Sequence, residues 1–249
     1  MTDRVPAETG PTLKDPRGRW PTGPSRPQLR RGEIHVWRAD AAEIAAALGS
    51  ERLSVLIAPG ERERAEHMSR RAHGELWMAA RATLRVLLSR YLDREPCELA
   101  LVIGAHGKPR LYGQHRLSFN LSHSAGTVVF AFCADGPVGV DVEFTRRGRN
   151  RVAVVRRALG EAEAERLLVL EPRLREREFL RAWTRHEAAL KCRGIGLGAG
   201  APATKRHRAP WIAELQLGPE AVGAVAAERA PQRLFGWRAP LAILALPTH

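Results

Sequence analysis

Hydrophobic positions recur along this chain in two periods, and the switches between them outline the fold. Ile34 to Trp37 alternates as a strand, and Asp40 then stands as the N-cap of a short Ala-rich helix ending at Gly49. Pro59-Gly60 opens a helical region reaching Asp93. Its first part, Glu61 to Arg71, is mostly charged. Its second part carries Leu76, Met78/Ala79, Ala82/Thr83, Val86, Leu87 and Arg90/Tyr91 at helical spacing. Leu99 to Ile103 reads as a strand, and Gly104 to Pro109 as a turn. Leu117–Leu121 and Thr127–Cys133 form a hairpin around Ser124-Ala125-Gly126, and Asp135-Gly136-Pro137 turns into a further strand, Gly139 to Phe144.

The second half repeats the order. Val152–Leu159 and Glu161–Leu170 are amphipathic helices separated near Gly160, and Pro172 starts a long helix. Its apolar stripe is Phe179, Ala182/Trp183, His186 and Ala189/Leu190, with Glu187 and Lys191 on one shoulder. Arg193-Gly194 and the Gly196/Gly198/Gly200 series end it. Trp211–Leu217, Arg233–Trp237 and Leu241–Leu246 read as strands. Residues 1–32, rich in Pro, Gly and Arg, read as a disordered leader holding one aromatic, Trp20. Strand, helices, strands, and again: the coarse order suggests two similar α+β halves.

Candidate chemistry gathers between Leu117 and Lys191. In the strand Gly139–Phe144, Val140, Val142 and Phe144 point one way and Asp141 and Glu143 the other, roughly 7 Å apart. Glu187 and Lys191 are i,i+4 neighbours. If that helix packs beside the strand, three carboxylates converge next to an ammonium. Such a cluster needs a cation or a raised pKa. All-oxygen ligands favour Mg²⁺, with Mn²⁺ as a substitute, and Mg²⁺ engages substrate phosphates. Taken singly, a solvated face explains the D-x-E and a helix-surface pair explains Glu187–Lys191.

In order, the chain has Gly107-Lys108-Pro109, Phe119-Asn120-Leu121-Ser122-His123-Ser124, Gly139-Val140-Asp141-Val142-Glu143 and Trp183-Thr184-x-x-Glu187-Ala188-x-x-Lys191. This series resembles the 4′-phosphopantetheinyl transferases, in their larger, surfactin-synthetase-activator class, over roughly residues 33–196. The resemblance implies a pseudo-dimer of two halves, residues 33–137 and 138–249, with coenzyme A in the cleft between them. It implies transfer of 4′-phosphopantetheine from coenzyme A to a serine of an apo acyl or peptidyl carrier protein, such as those of polyketide and nonribosomal peptide synthesis, releasing 3′,5′-ADP. On this resemblance Asp141, Glu143 and Glu187 hold Mg²⁺. Arg81, Lys108, Ser122, His123, Thr145 and Lys191 contact coenzyme A. Lys191 steadies the diphosphate, and Glu187, directly or through a metal-bound water, is the candidate base. One departure stands out: His186 occupies the place of the family's usual lysine. On the apolar stripe it reads as a core residue, and if the family lysine touches phosphate, that contact is here either pH-sensitive or supplied by another residue, such as Arg185.

Composition narrows the partners. The 249 residues carry a formal charge of +13, which favours acidic partners, and carrier proteins are acidic as a class. Cys97, Cys133 and Cys192 are too widely spaced for a zinc motif or a disulfide framework, which suits a reducing, cytoplasmic setting. No apolar run approaches the ~18 residues of a membrane span, and the first 30 residues lack a secretory apolar core. The expectation is a monomer without membrane or nucleic-acid partners. Two other readings compete. A metal-dependent nuclease wants a Glu-x-Lys that Glu143-Phe144-Thr145 does not supply. A basic nucleic-acid-binding module wants aromatics interleaved with Arg along a strand.

Overall fold

The computed structural model describes residues 19–104, 107–113, 115–145, 152–195 and 208–244. The chain runs β1 (Glu33–Asp40), α1 (Ala41–Val55), α2 (Pro59–Glu66), α3 (Arg71–Leu92), β2 (Leu101–Ile103), β3 (Pro109–Leu111), β4 (Ser118–Ser124) and β5 (Thr127–Cys133). It continues through β6 (Val138–Phe144), α4 (Val152–Leu159), α5 (Glu161–Leu168), α6 (Pro172–Arg193), β7 (Trp211–Gln216), β8 (Ala221–Ala227) and β9 (Arg233–Arg238). The fold is α+β.

Two sheets carry it. One has the order β4-β5-β1-β9, the other β6-β8-β7. They lie back to back. Ile34, Val36, Val129 and Ala131 of the first share a core with Val138, Val140, Val142, Ala213, Leu215 and Val225 of the second. The opposite face of the first sheet, through Trp37, Val128, Phe130 and Phe132, packs on α1 and α3. β5 is therefore buried on both faces, which is why it reads as an unbroken apolar run. The outer face of the second sheet receives α6, where Ala188 and Cys192 meet Ala224 and Ala226.

Several expectations need correction. Residues 19–32 are not a disordered leader: Trp20 is only 8% exposed in the core between the sheets, and its indole donates to the Gln216 carbonyl at 2.9 Å. Residues 1–18 lie outside the described residues. Gly23 fits where a Cβ would lie 2.1 Å from the Trp37 ring, so the segment runs tightly over the β1–β9 aromatics. A cut at Pro137–Val138 does not separate the sheets cleanly either, because β9 returns to lie parallel to β1. The helical region 59–93 is two helices, and α1 passes Gly49 with a kink there (φ 69°). Leu241–Leu244 is a 3₁₀ turn where a strand was expected, and residues 245–249 lie outside the described residues.

Strand β8 went unpredicted. Its sequence, Ala-Val-Gly-Ala-Val-Ala-Ala, has weak strand propensity. Yet it is the central strand of its sheet, and every residue is buried. Small side chains are what let α6 settle on it. The same tight packing rotates α6 relative to expectation. Leu180, Thr184, Glu187, Ala188 and Cys192 are its buried positions alongside Phe179, while His186 and Leu190 are only half-buried.

Candidate active site

Both sheets end in an edge strand at the same place. β4 borders the first sheet and β6 the second, and alternate residues of β4 stitch the two edges together. The Asn120 side-chain oxygen accepts from the Val140 amide at 2.8 Å, satisfying an edge N–H that has no strand partner. Ser122 Oγ donates to Asp141 Oδ1 at 2.7 Å, and Ser124 Oγ donates to Glu143 Oε2 at 3.1 Å. The period of two in β4 therefore presents one polar group after another to β6.

Helix α6 roofs this seam because Gly139 lets it. A Cβ on Gly139 would stand 2.1 Å from the Ala188 carbonyl oxygen and 2.3 Å from the Cys192 amide nitrogen, both of them backbone atoms. The absence of a side chain brings the last two turns of α6 directly onto β6. Lys191 then reaches Asp141 Oδ1 at 2.6 Å and Ser122 Oγ at 3.2 Å. Ser122, Asp141 and Lys191 close a three-membered ring of charge-assisted bonds. Asp141 is 4% exposed, so the Lys191 ammonium offsets a costly burial.

Glu187 lies one turn before Lys191 and is 5% exposed. Burial pushes its carboxyl up to about 6, with Asp141 and Glu143 adding repulsion and Lys191 offsetting part of it. Two carboxylate oxygens, Asp141 Oδ2 and Glu187 Oε1, are buried without a hydrogen-bond partner. Such orphans are uncommon and mark a site short of positive charge or donors. Among the described residues no three carboxylates, imidazoles or thiolates already form a metal cage. Mg²⁺ does not require one: it is commonly held by one or two carboxylates plus substrate phosphates and water. The two orphan oxygens fit that donor set, with Glu143 at the rim.

The remaining predicted residues are distributed unevenly. His123 is exposed at the end of β4, where strict alternation would have sent it toward the core. Thr145 follows β6, and both its amide and its hydroxyl donate to the Glu220 carbonyl, at 2.8 and 3.2 Å. Arg81 is buried on α3: its Nε meets Glu61 Oε1 at 3.2 Å, its guanidinium lies 5.0 Å over the Trp77 ring, and its Nη1 is buried without a partner. Lys108 turns inward and donates to two main-chain carbonyls, Val138 at 2.9 Å and Lys191 at 2.7 Å. His186 stands beside Trp183, its pKa lowered by burial and by Arg193. Arg185 pairs with Glu214 at 3.6 Å. Sequence reasoning passed over Asn120, Ser124 and Gly139. The shared parity of 120, 122 and 124 was the available signal for the first two.

Comparison with known proteins points in one direction. The family profile described as the 4′-phosphopantetheinyl transferase superfamily matches residues 137–224, the segment that holds Asp141, Glu143, Glu187 and Lys191. The 4′-phosphopantetheinyl transferase HetI of Nostoc sp. is 29% identical over 233 residues, covering 88% of this chain and 95% of its own. A Synechocystis sp. protein provisionally named as such a transferase is 31% identical over 147 residues, 58% of this chain and 60% of its own. Sfp of Bacillus subtilis is 25% identical over 148 residues, 59% and 65% of the two chains. The match thus spans nearly the whole Nostoc protein but less than two thirds of the other two.

Proposed function

We propose that this chain is a member of the 4′-phosphopantetheinyl transferase superfamily, on its similarity to the family profile and to HetI, and that it transfers 4′-phosphopantetheine from coenzyme A to a serine hydroxyl of an apo carrier protein. The serine oxygen bonds to the phosphorus that bears the pantetheine. The diphosphate bridge breaks, and 3′,5′-ADP leaves. The observation that carries this reading is the buried Ser122–Asp141–Lys191 ring beside the orphan oxygens of Asp141 and Glu187.

Lys191 is already held in place by Asp141 and Ser122, so its charge acts on a diphosphate with little reorganisation at the moment of reaction. The exposed His123 imidazole supplies a donor at the end of β4 for phosphate oxygens, and the Ser122 hydroxyl can join it by turning its proton away from Asp141. Thr145 supplies another hydroxyl after β6, and the free Nη1 of Arg81 suits the phosphates of the nucleotide end. Glu187 is the candidate to take the serine proton, on an oxygen other than the one that would hold the cation. Asp141, Glu187 and Glu143 would hold a divalent cation, Mg²⁺ or Mn²⁺, which supplies charge neutralisation for the diphosphate. A formal charge of +13 favours an acidic carrier as partner and speeds their encounter at low salt. The reading includes action as a monomer in the cytoplasm. Among the described residues no helix is long and apolar enough to cross a membrane.

The test is intact-mass spectrometry of a purified apo carrier protein after incubation with this protein, coenzyme A and Mg²⁺, beside a chelator control. The expected result is a gain of one phosphopantetheine, absent with chelator. No gain on acyl and peptidyl carriers alike overturns the reading, and an undiminished gain in excess chelator removes the metal from it.

A further inference from the structure

Lys108 stands in the Gly-Lys-Pro turn between β2 and β3, in the N-terminal half, yet both of its hydrogen-bond acceptors lie in the C-terminal half. Its Nζ is 2.7 Å from the Lys191 carbonyl oxygen and 2.9 Å from that of Val138. The first belongs to the final turn of α6, where that carbonyl also accepts from the Gly194 amide at 3.2 Å and where the helix dipole leaves negative charge. The second opens β6, the strand of Asp141 and Glu143. One ammonium therefore joins the last turn of α6 to the first residue of β6. It sits on the main chain of Lys191, whose side chain holds Asp141.

We propose that Lys108 is a positioning residue, a strut between the halves that fixes the Lys191 main chain relative to β6 rather than a ligand of the coenzyme A phosphates. This rests on the transferase reading above. Three observations favour it. Two short bonds to carbonyls commit the ammonium to the protein. Burial lowers its pKa, and two carbonyl acceptors at short range favour the charged ammonium against that burial. And the contact it braces is a demanding one: Gly139 leaves α6 and β6 no side chain between them, so backbone contact sets their separation there, held by this strut together with the Cys192 Sγ contact to the Pro137 carbonyl at 3.3 Å. Close to an active site, a shift of about 1 Å costs on the order of 100-fold in rate.

Three measurements on Lys108→Met and Lys108→Arg decide it. In steady-state transfer, Lys108→Met should lower kcat at least about tenfold, with KM and the calorimetric Kd for coenzyme A within twofold of wild type, because a strut acts on the transition state through Lys191. Lys108→Arg, which keeps charge and donors, should recover part of the rate. In hydrogen–deuterium exchange, the final turn of α6 should exchange about tenfold faster in Lys108→Met, with α3 and β5 unchanged. A tenfold or greater rise in KM and Kd at unchanged kcat, with unaltered exchange in α6, would overturn the proposal and make Lys108 a phosphate ligand. Should the wild-type protein transfer nothing to any carrier, the transferase reading fails instead, and the exchange comparison alone still decides whether Lys108 braces the helix. Exchange that rises everywhere in Lys108→Met but stays at wild-type rates in Lys108→Arg would mark a general stability role and also count against the proposal.

Discussion

Around His35 each buried polar atom has found a partner; around Asp141 two carboxylate oxygens have none. The first cluster lies on β1 and β9. Trp37 Nε1 donates to the Tyr91 hydroxyl at 2.8 Å, and that hydroxyl in turn meets His35 Nδ1 at 2.8 Å. The neutral ring then carries its proton on Nε2, which faces Glu33 at 3.4 Å, and Glu33 is held by Arg233 and by the Arg30 amide. Phe235 and Trp237 close over the ring edge-on. The second cluster lies at the β4–β6 seam and keeps Asp141 Oδ2 and Glu187 Oε1 unpaired. Both clusters are buried and both contain carboxylates. The difference is that a completed network specifies a structure, while an incomplete one holds a place for a ligand.

That contrast breaks most sharply at the seam itself. Asp141→Ala and Lys191→Ala should each reduce transfer by at least about 100-fold while the protein stays folded by circular dichroism, since each removes preorganised charge from the reacting phosphate. Activity within tenfold of wild type in either would mean the seam is merely structural. Gly139→Ala should come next. Its methyl would press on backbone of α6 that cannot swing aside, so the helix must move, at a cost of about 1–3 kcal/mol in stability together with most of the activity. Chemical denaturation and the transfer assay read the two losses separately.

The other cluster predicts the reverse pattern. Tyr91→Phe leaves both His35 Nδ1 and Trp37 Nε1 without their partner and should cost about 1–3 kcal/mol of stability, with transfer per folded molecule nearly unchanged. A pH effect follows as well. Burial holds His35 at about 4, against an ordinary value of 6.5. The unfolded chain takes up a proton through 6.5 and the folded chain only near 4, so stability present above pH 6.5 drains away as pH falls toward 4, by up to about 3 kcal/mol. His35→Gln abolishes this titration. Denaturation midpoints between pH 7 and 4 should therefore fall more steeply for wild type than for the variant; parallel curves would refute a neutral buried His35.

How far the sequence revealed these two regions differs in an instructive way. The Asp141–Glu143 alternation and the Glu187–Lys191 spacing are local, so periods of two and four singled out these residues. Each pattern by itself also fits a solvated face, and only their joint occurrence with the Ser122–His123–Ser124 strand end pointed to a site. The ladder from Asn120 and Ser124 and the close approach at Gly139 depend on a strand and a helix far apart in the chain, and a glycine inside a strand announces only that something comes near. Strand β8 was hidden for the same reason: alanine is a poor strand former, and its presence there answers to the helix packed on it. The stripe of α6 was displaced because Thr184 and Glu187, polar by type, are buried, whereas Leu190 is not fully so. At Trp20, composition misled outright. A Pro- and Arg-rich flank hid one large aromatic that fills the core between the sheets.

The central claim is that the incomplete cluster, and not the complete one, is where chemistry happens. The most direct measurement is the rate at which an apo carrier protein gains phosphopantetheine, followed by intact mass, with wild type, Asp141→Asn and Tyr91→Phe compared at equal folded concentration. The account predicts a loss of at least about 100-fold for Asp141→Asn and a rate within about twofold of wild type for Tyr91→Phe. Equal losses in both, or a near-wild-type rate for Asp141→Asn, would contradict it.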